Sequence, residues 1–408
     1  MNYASVKFKL KSYRILNYLI FYRRSDDQII QYRLLLLMVG MTVLLQSCGT
    51  GSNFERILER PFGSLDDGRE VRIFSLRNAR GTEVEIMDLG AIIVSLNTVD
   101  AHGNISDITL GYDEPQQYLD ANAYMGAVVG RYGNRIAEGK FSIDGQDYTL
   151  ASNNGPNALH GGIVGFDKKM WKTSIHSDNS SATVSLDLIS EDGEEGYPGT
   201  LSTNVTYTLT DGNRLIIDYS ATTDKATVIN LTQHAYFNLD GHNAGSILEH
   251  EVLINADQFT PANIESIPTG EIASVVGTPF DFRVAKKIGQ DIESDHEQVV
   301  FGSGFDHNFV LNKTAGSEFG LAASAYSART GRTLTAYTDQ PGMQFYTGNF
   351  MNGRVAGKDG ADYQRRNAFC FETQHYPDSP NKVNFPTTVL RPGELYATQT
   401  IFEFGIKN

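Results

Sequence analysis

Val205-Thr206-Tyr207-Thr208-Leu209-Thr210-Asp211-Gly212-Asn213-Arg214-Leu215-Ile216-Ile217-Asp218-Tyr219 carries the fold in miniature. Val205, Tyr207 and Leu209 alternate with threonines, and Leu215, Ile217 and Tyr219 resume the same period after a break. Successive side chains of a strand point to opposite faces, so a period of two reads as two strands with one buried face each. Asp211-Gly212-Asn213 supplies residue types that tolerate the positive φ of a tight hairpin, with the positive φ expected on the Asp-Gly pair.

The pattern continues outward. Val184, Leu186 and Leu188 alternate with Ser185, Asp187 and Ile189. Phe141-Ser142-Ile143, Asp144-Gly145 and Tyr148-Thr149-Leu150 repeat the hairpin device. Capping boxes followed by a 3.6-residue period are absent, so only short helical turns are expected, near Glu114–Leu119 and Lys286–Gln290. No linker rich in Pro, Gly or Ser divides residues 54–408 and no repeat of fixed period is present. Many strands without a linker predict an all-β chain: one large sandwich domain over 54–408 whose two sheets share a core and leave a broad concave face.

Charge narrows the partners. The 408 residues carry a net −14. Residues 1–47 hold seven Lys/Arg and two acids, +5, which leaves −19 on residues 48–408. Binding to nucleic acid is driven by neutralising phosphates, so an acidic body excludes it as a partner. It also argues against a highly anionic substrate.

The first 53 residues read as an address. Leu34–Leu45 is an almost uninterrupted apolar run behind basic residues, too short for a comfortable membrane span but the length of a signal-peptide core. Leu45-Gln46-Ser47-Cys48 resembles a bacterial lipobox, in which the cysteine receives lipid, and a Gly/Ser-containing tether follows. The expectation is an exported body, periplasmic or anchored as a lipoprotein through Cys48, touching a membrane only through that lipid. The second cysteine, Cys370, lies in the apolar run Ala368-Phe369-Cys370-Phe371 and reads as a buried, inert thiol.

Nine histidines are present. His102, His176, His242, His250 and His296 have polar or turn-like settings, and His375 sits beside Tyr376-Pro377; these read as solvated or hydrogen-bonded side chains. Three lie in denser contexts. His160 precedes two glycines that permit close backbone approach, His234 stands in Thr232-Gln233-His234-Ala235-Tyr236-Phe237-Asn238, and His307 follows an acid between two phenylalanines. Taken singly, each is as readily structural as catalytic. The histidines show no zinc-ligand spacing, so no metal is expected. Glu372, in Phe371-Glu372-Thr373-Gln374, is an acid in an apolar strand, costly to bury unless paired or poised for chemistry. Arg131 or Arg135 are candidates to pair with it or to hold a ligand's hydroxyls.

Together these segments resemble the galactose mutarotase (aldose 1-epimerase) family, in its order and over Phe62 to Phe404. They include Gly130-Arg131-Tyr132-Gly133-Asn134-Arg135-Ile136, Asn157-Ala158-Leu159-His160-Gly161-Gly162, Asn230-Leu231-Thr232-Gln233-His234, Phe305-Asp306-His307-Asn308-Phe309, Gln340-Pro341-Gly342-Met343-Gln344-Phe345 and Phe371-Glu372-Thr373-Gln374. The resemblance implies a β-supersandwich with few short helices, no cofactor and a free aldohexose as substrate. It implies Glu372 as base, His234 as acid, His160 as second active-site histidine, and sugar contacts from Asn134, Arg135, Tyr236, Asp306 and Gln344. Ala235 replaces the serine of a common family form, which leaves a contact there in doubt.

Changing the anomer of a pyranose needs a proton taken from the C1 hydroxyl and one given to the ring oxygen, then the reverse after rotation about C1–C2. Glu372 is expected ionised at rest, and a neighbouring carboxylate is expected to raise His234 and keep it protonated. The rival readings are a sugar-binding lipoprotein without chemistry, a glycosidase using Glu372 and Asp306, and a hexose-phosphate epimerase.

Overall fold

The sequence alternation becomes a nine-stranded antiparallel sheet in the computed structural model, which describes residues 54–121 and 123–407. From one edge its strands are Lys172–Ser177, Ser181–Ser190, Leu201–Thr210, Arg214–Thr223, Tyr396–Ile406, Arg332–Thr338, Gly320–Tyr326, Glu251–Ile254 and Lys286–Lys287. Val184, Leu186, Val205, Tyr207, Leu215 and Ile217 are buried on its inner face. On the outer face hydroxyls pair across strands, Thr183 with Thr208 at 3.0 Å and Ser185 with Thr206 at 2.9 Å. Cross-strand pairs of this kind stabilise a half-solvated sheet face.

Asp211-Gly212-Asn213 does close a hairpin, with Leu209 opposite Leu215. The left-handed residue is Asn213 (φ 59°), not Asp211 or Gly212. A three-residue loop puts its positive φ at the last position, where asparagine is tolerated. The shorter Asp144-Gly145 turn joins Ile143 directly to Gln146.

A five-stranded meander, Ile57–Ser64, Glu70–Arg77, Glu83–Met87, Ile93–Val99 and Ile105–Asp107, forms a second sheet. A third has the order Ala273–Ser274, Gln258–Phe259, Asp306–Val310, Gly342–Tyr346, Cys370–Gln374. Glu55–Asn408 is one compact unit. The described α-helices are Pro115–Ala121, which opens on a proline as first turns allow, and Glu297–Phe301. The latter was not read from sequence; His296 caps it by accepting from the Gln298 N–H. Around Lys286–Gln290 only Ile288–Gln290 is helical (3-10), because Lys286–Lys287 joins the large sheet's edge. Cys48 and the rest of the expected leader lie outside the described residues.

The third sheet positions the site, and its alternation explains how. Phe309, Met343, Phe345 and Phe371 point into the main core, where Phe282, Phe305, Phe345 and Phe371 meet ring on ring. The intervening residues Asp306, Asn308, Gln344 and Glu372 must therefore share the opposite face. Register aligns them: Asn308 stands opposite Gln344, and Gln344 opposite Glu372.

Candidate active site

Asp306, Gln344 and Glu372 on that face floor a cleft of about 320 Å³. Its groups are sparingly satisfied. The Gln344 amide donates to Asp306 Oδ1 at 2.7 Å, but Gln344 Oε1 and Glu372 Oε2 find no hydrogen-bond partner among the described residues. Buried polar atoms are seldom left so, and a cluster of them at a cleft floor marks a place where a ligand completes the hydrogen bonding.

The histidines come from two other segments. Thr232–Gln233 pairs with Val128–Val129, and the ladder runs on as His234 N–H donates to Ala127 O and Gly126 N–H donates to His234 O, each at 2.9 Å. The chain stays extended through Ala235, so Tyr236 follows His234 on the same side, the rings nearly parallel (9°) with centroids 5.0 Å apart. His234 Nε2 lies 3.6 Å from Glu372 Oε2.

His160 sits in a left-handed turn (φ 49°). The next residue must be glycine: Gly161 has φ 92°, and a Cβ there would lie 1.8 Å from Gly130 O. His160 and Asn134 bind reciprocally, His160 N–H to Asn134 O at 3.0 Å and Asn134 N–H to His160 Nδ1 at 3.1 Å. Behind them the fully buried Asn230 stitches the Gly133 loop to the strand carrying Glu372. Its side chain donates to Gly133 O and His375 O and accepts from His375 N–H at 2.9 Å.

Burial sets the electrostatics. It pushes the Glu372 carboxyl well above the usual carboxylate range, Asp306 adds to the rise, and Arg135 opposes it. It pushes His234 down to about 4, partly offset by the residue's own backbone. Burial also raises Asp306, against Arg135 and the Gln344 hydrogen bond. Desolvation thus works against the expected arrangement of an ionised Glu372 facing a protonated His234, raising the carboxyl and lowering the imidazole.

Contrary to the reading from sequence spacing, three metal-type donors do meet: one atom each of His160, His234 and Glu372 lie within 4.8 Å of one another. The hydrogen bonding opposes a metal there. A ligating imidazole normally donates its far N–H to an acceptor. His160 Nδ1 instead accepts from the Asn134 N–H, so the neutral ring carries its proton on Nε2, the nitrogen a metal would need. The same lock makes His160 a hydrogen-bond donor toward the cleft.

All eight residues expected from sequence line this one cleft: Glu372, His234, His160, Asn134, Arg135, Tyr236, Asp306 and Gln344. His307 turns away into the phenylalanine core, 4.6 Å from the Phe280 ring, because it alternates with Asp306 along the strand. Arg131 does not approach Glu372; its guanidinium is buried and donates to the carbonyls of Pro198, Gly199 and Ser190. His375 belongs to a separate groove and pairs through Nδ1 with Gln340. Tyr124, Tyr346 and Phe350 also line the cleft and were missed; nothing local sets them apart from the other aromatic residues.

A β-sandwich presenting a close carboxyl–imidazole pair in a cleft of hydroxyl-reading side chains is the architecture of a sugar-handling acid–base enzyme. Comparison with known proteins makes the class specific. The pattern of the aldose 1-epimerase family matches residues 72–403. The chain is 46% identical over 346 residues to the galactose mutarotase of Bos taurus, covering 85% of this chain and 97% of that one. It is 39% identical over 340 residues to the aldose 1-epimerase of Escherichia coli (strain K12), covering 83% and 96%. Among solved structures, an aldose epimerase homologue from C. elegans superposes with a TM-score of 0.75 at 32% identity, over 82% of this chain and 99% of that one. A galactose 1-epimerase from Lactobacillus acidophilus NCFM gives 0.76 at 27% identity, over 86% and 99%. The chain belongs to the aldose 1-epimerase family.

Proposed function

We propose that this protein is an isomerase that interconverts the α and β anomers of a free aldohexose, by acid–base opening and reclosure of the pyranose ring. The observation that carries the reading is the 3.6 Å separation of Glu372 Oε2 and His234 Nε2 at the floor of the cleft. That spacing lets two groups address the anomeric hydroxyl and the ring oxygen of one sugar.

In the proposed cycle the sugar's hydroxyls complete the hydrogen bonds of Gln344 and Glu372, and Arg135 favours the carboxylate. Glu372 then takes the C1 hydroxyl proton while His234 protonates the ring oxygen. After rotation about C1–C2 the two exchange roles and the ring closes on its other face. His160 donates to the oxygen on which charge develops, and Tyr236 packs against the sugar. The pair carries one proton throughout, on His234 before the ring opens and on Glu372 in the open-chain state. Polarimetry of fresh α-glucose or α-galactose with Glu372→Gln tests this; near-normal rates remove Glu372 from the chemistry.

We also propose export. The run Leu34–Leu45 and the Cys48 motif support a lipid-anchored body outside the cytoplasm. Mass spectrometry of the mature N-terminus is expected to find a lipidated Cys48, and an intact unmodified leader overturns it.

A further inference from the structure

Histidines that move protons are commonly aimed by a hydrogen bond to their far nitrogen. His160 follows that rule through the Asn134 N–H. His234 does not: its Nδ1 has no hydrogen-bond partner on another described residue, although the residue is only 5% exposed. Something else must hold the ring facing Glu372.

Aromatic rings surround it. The Tyr236 ring lies nearly parallel to His234 at 5.0 Å, and the Tyr124 ring is also close to parallel, 16° at 6.2 Å. Tyr346 and His160 approach edge-on, at 6.4 and 5.2 Å. These separations fall in the range where aromatic pairs attract, about 0.5–1.5 kcal/mol beyond their buried area. Tyr124 reaches furthest into the arrangement, since it also packs on His160 at 4.6 Å.

The backbone is built to deliver it. Tyr124 takes a left-handed conformation (φ 55°), which is costly for a tyrosine and persists only where its surroundings impose it. Three ties impose it. Ala127 N–H donates to Tyr124 O at 3.1 Å, the Tyr236 hydroxyl donates to Ala123 O at 3.1 Å, and the Gln233 amide donates to Gly126 O at 2.6 Å. Gly126 (φ 71°) turns the chain where a Cβ would lie 2.1 Å from Ile93 O. The turn that carries Tyr124 is thus bonded to the backbone of His234 and to the side chains on either side of it, Gln233 and Tyr236.

We propose that Tyr124 is a positioning residue for the anomerisation: with Tyr236 it packs the His234 imidazole into the plane that faces Glu372, supplying by ring contact the aim that a hydrogen bond supplies to His160. This rests on the assignment of His234 made above.

The test is steady-state polarimetry on the full chain carrying Tyr124→Phe, Tyr124→Leu or Tyr124→Ala, with imidazole ¹⁵N–¹H NMR of the same proteins. Misplacing a reacting group by about 1 Å costs about 100-fold, so Tyr124→Leu and Tyr124→Ala are expected to lose about 10- to 100-fold in kcat with little change in KM. Tyr124→Phe, which keeps the ring, is expected within about three-fold of the parent. The His234 imidazole signals are expected to shift or broaden in the Leu and Ala proteins and to stay in place in the Phe protein. A full kcat in Tyr124→Leu, a loss confined to KM, or unmoved His234 signals overturns the proposal. Should Tyr124→Ala fail to fold, Tyr124→Leu decides alone. Failure of the underlying reading looks different: the parent protein itself does not anomerise free hexoses, or does so equally well as Glu372→Gln.

Discussion

The outer face of the nine-stranded sheet and the outward face of the sheet bearing Glu372 are written in the same alphabet, polar residues alternating with core hydrophobes. They differ in what the polar atoms do. Thr183, Thr208, Ser185 and Thr206 close their hydrogen bonds on each other. Gln344 and Glu372 stand opposite each other and leave oxygens open, deep enough that burial is the largest cause of the carboxyl's raised affinity for a proton. Polar groups that satisfy one another build structure, and polar groups withheld from one another wait for a ligand.

The sharpest way to break that comparison is Glu372→Gln. Activity is expected to fall at least 100-fold, within the roughly 10²–10⁴ that a positioned proton carrier contributes, as read by polarimetry. Thermal melting is expected to move the other way. A carboxyl whose folded pKa is raised costs stability as pH rises past its unfolded value, and the neutral amide does not, so the variant should melt at or above the parent at pH 8.

A second break uses pH. Burial lowers His234, His250 and His375 to about 4 and His307 to about 3, from an ordinary 6.5. A depressed histidine binds its proton more readily when unfolded, so its contribution is whole above about pH 6.5 and drains away as pH falls toward 4. At about 1.4 kcal/mol per pKa unit, each contributes up to about 3 kcal/mol over that window. Urea denaturation at pH 7.5, 6 and 5 should show the decline, and His307→Gln, which removes one of the four, should make it shallower.

Asn230→Ala sharpens the comparison, because this amide is satisfied as fully as the outer-face hydroxyls yet sits behind the cleft. Leaving His375 N–H and the Gly133 carbonyl unpaired is expected to cost about 1–3 kcal/mol in denaturation, with a rise in KM as Asn134 and Arg135 loosen. Least of all, Thr183→Val on the outer face should stay within about 0.5 kcal/mol and leave the rate alone. A large effect there would erase the distinction between the two faces.

How much of this was legible in the sequence follows from the same physics. Strand alternation is local, so the hairpin at Asp211–Asn213 and the sandwich could be read directly, and the motifs around Asn134, His160, His234, Asp306, Gln344 and Glu372 led to residues that share one cleft. Depth is not local. The downward shift of His234 and the upward shift of Glu372 come from what several segments exclude from them, and attraction between the two charges looked decisive until that depth was known. Tyr124 was invisible for a related reason: its turn depends on Gly126 approaching Ile93 O, more than thirty residues earlier in the chain. The left-handed residue of the long hairpin was misassigned to Asp-Gly because loop length, fixed by pairing, decides which position takes it.

The row Asn308–Gln344–Glu372 exists only in one pairing of its strands. Slide Cys370–Gln374 by a single residue and Phe371 and Thr373 enter the cleft while Glu372 is driven among phenylalanines. Such a chain is both unstable and inert. Selection for a working enzyme therefore audits the last strand of that sheet at every synthesis, and assembly cannot go astray there without silencing the molecule.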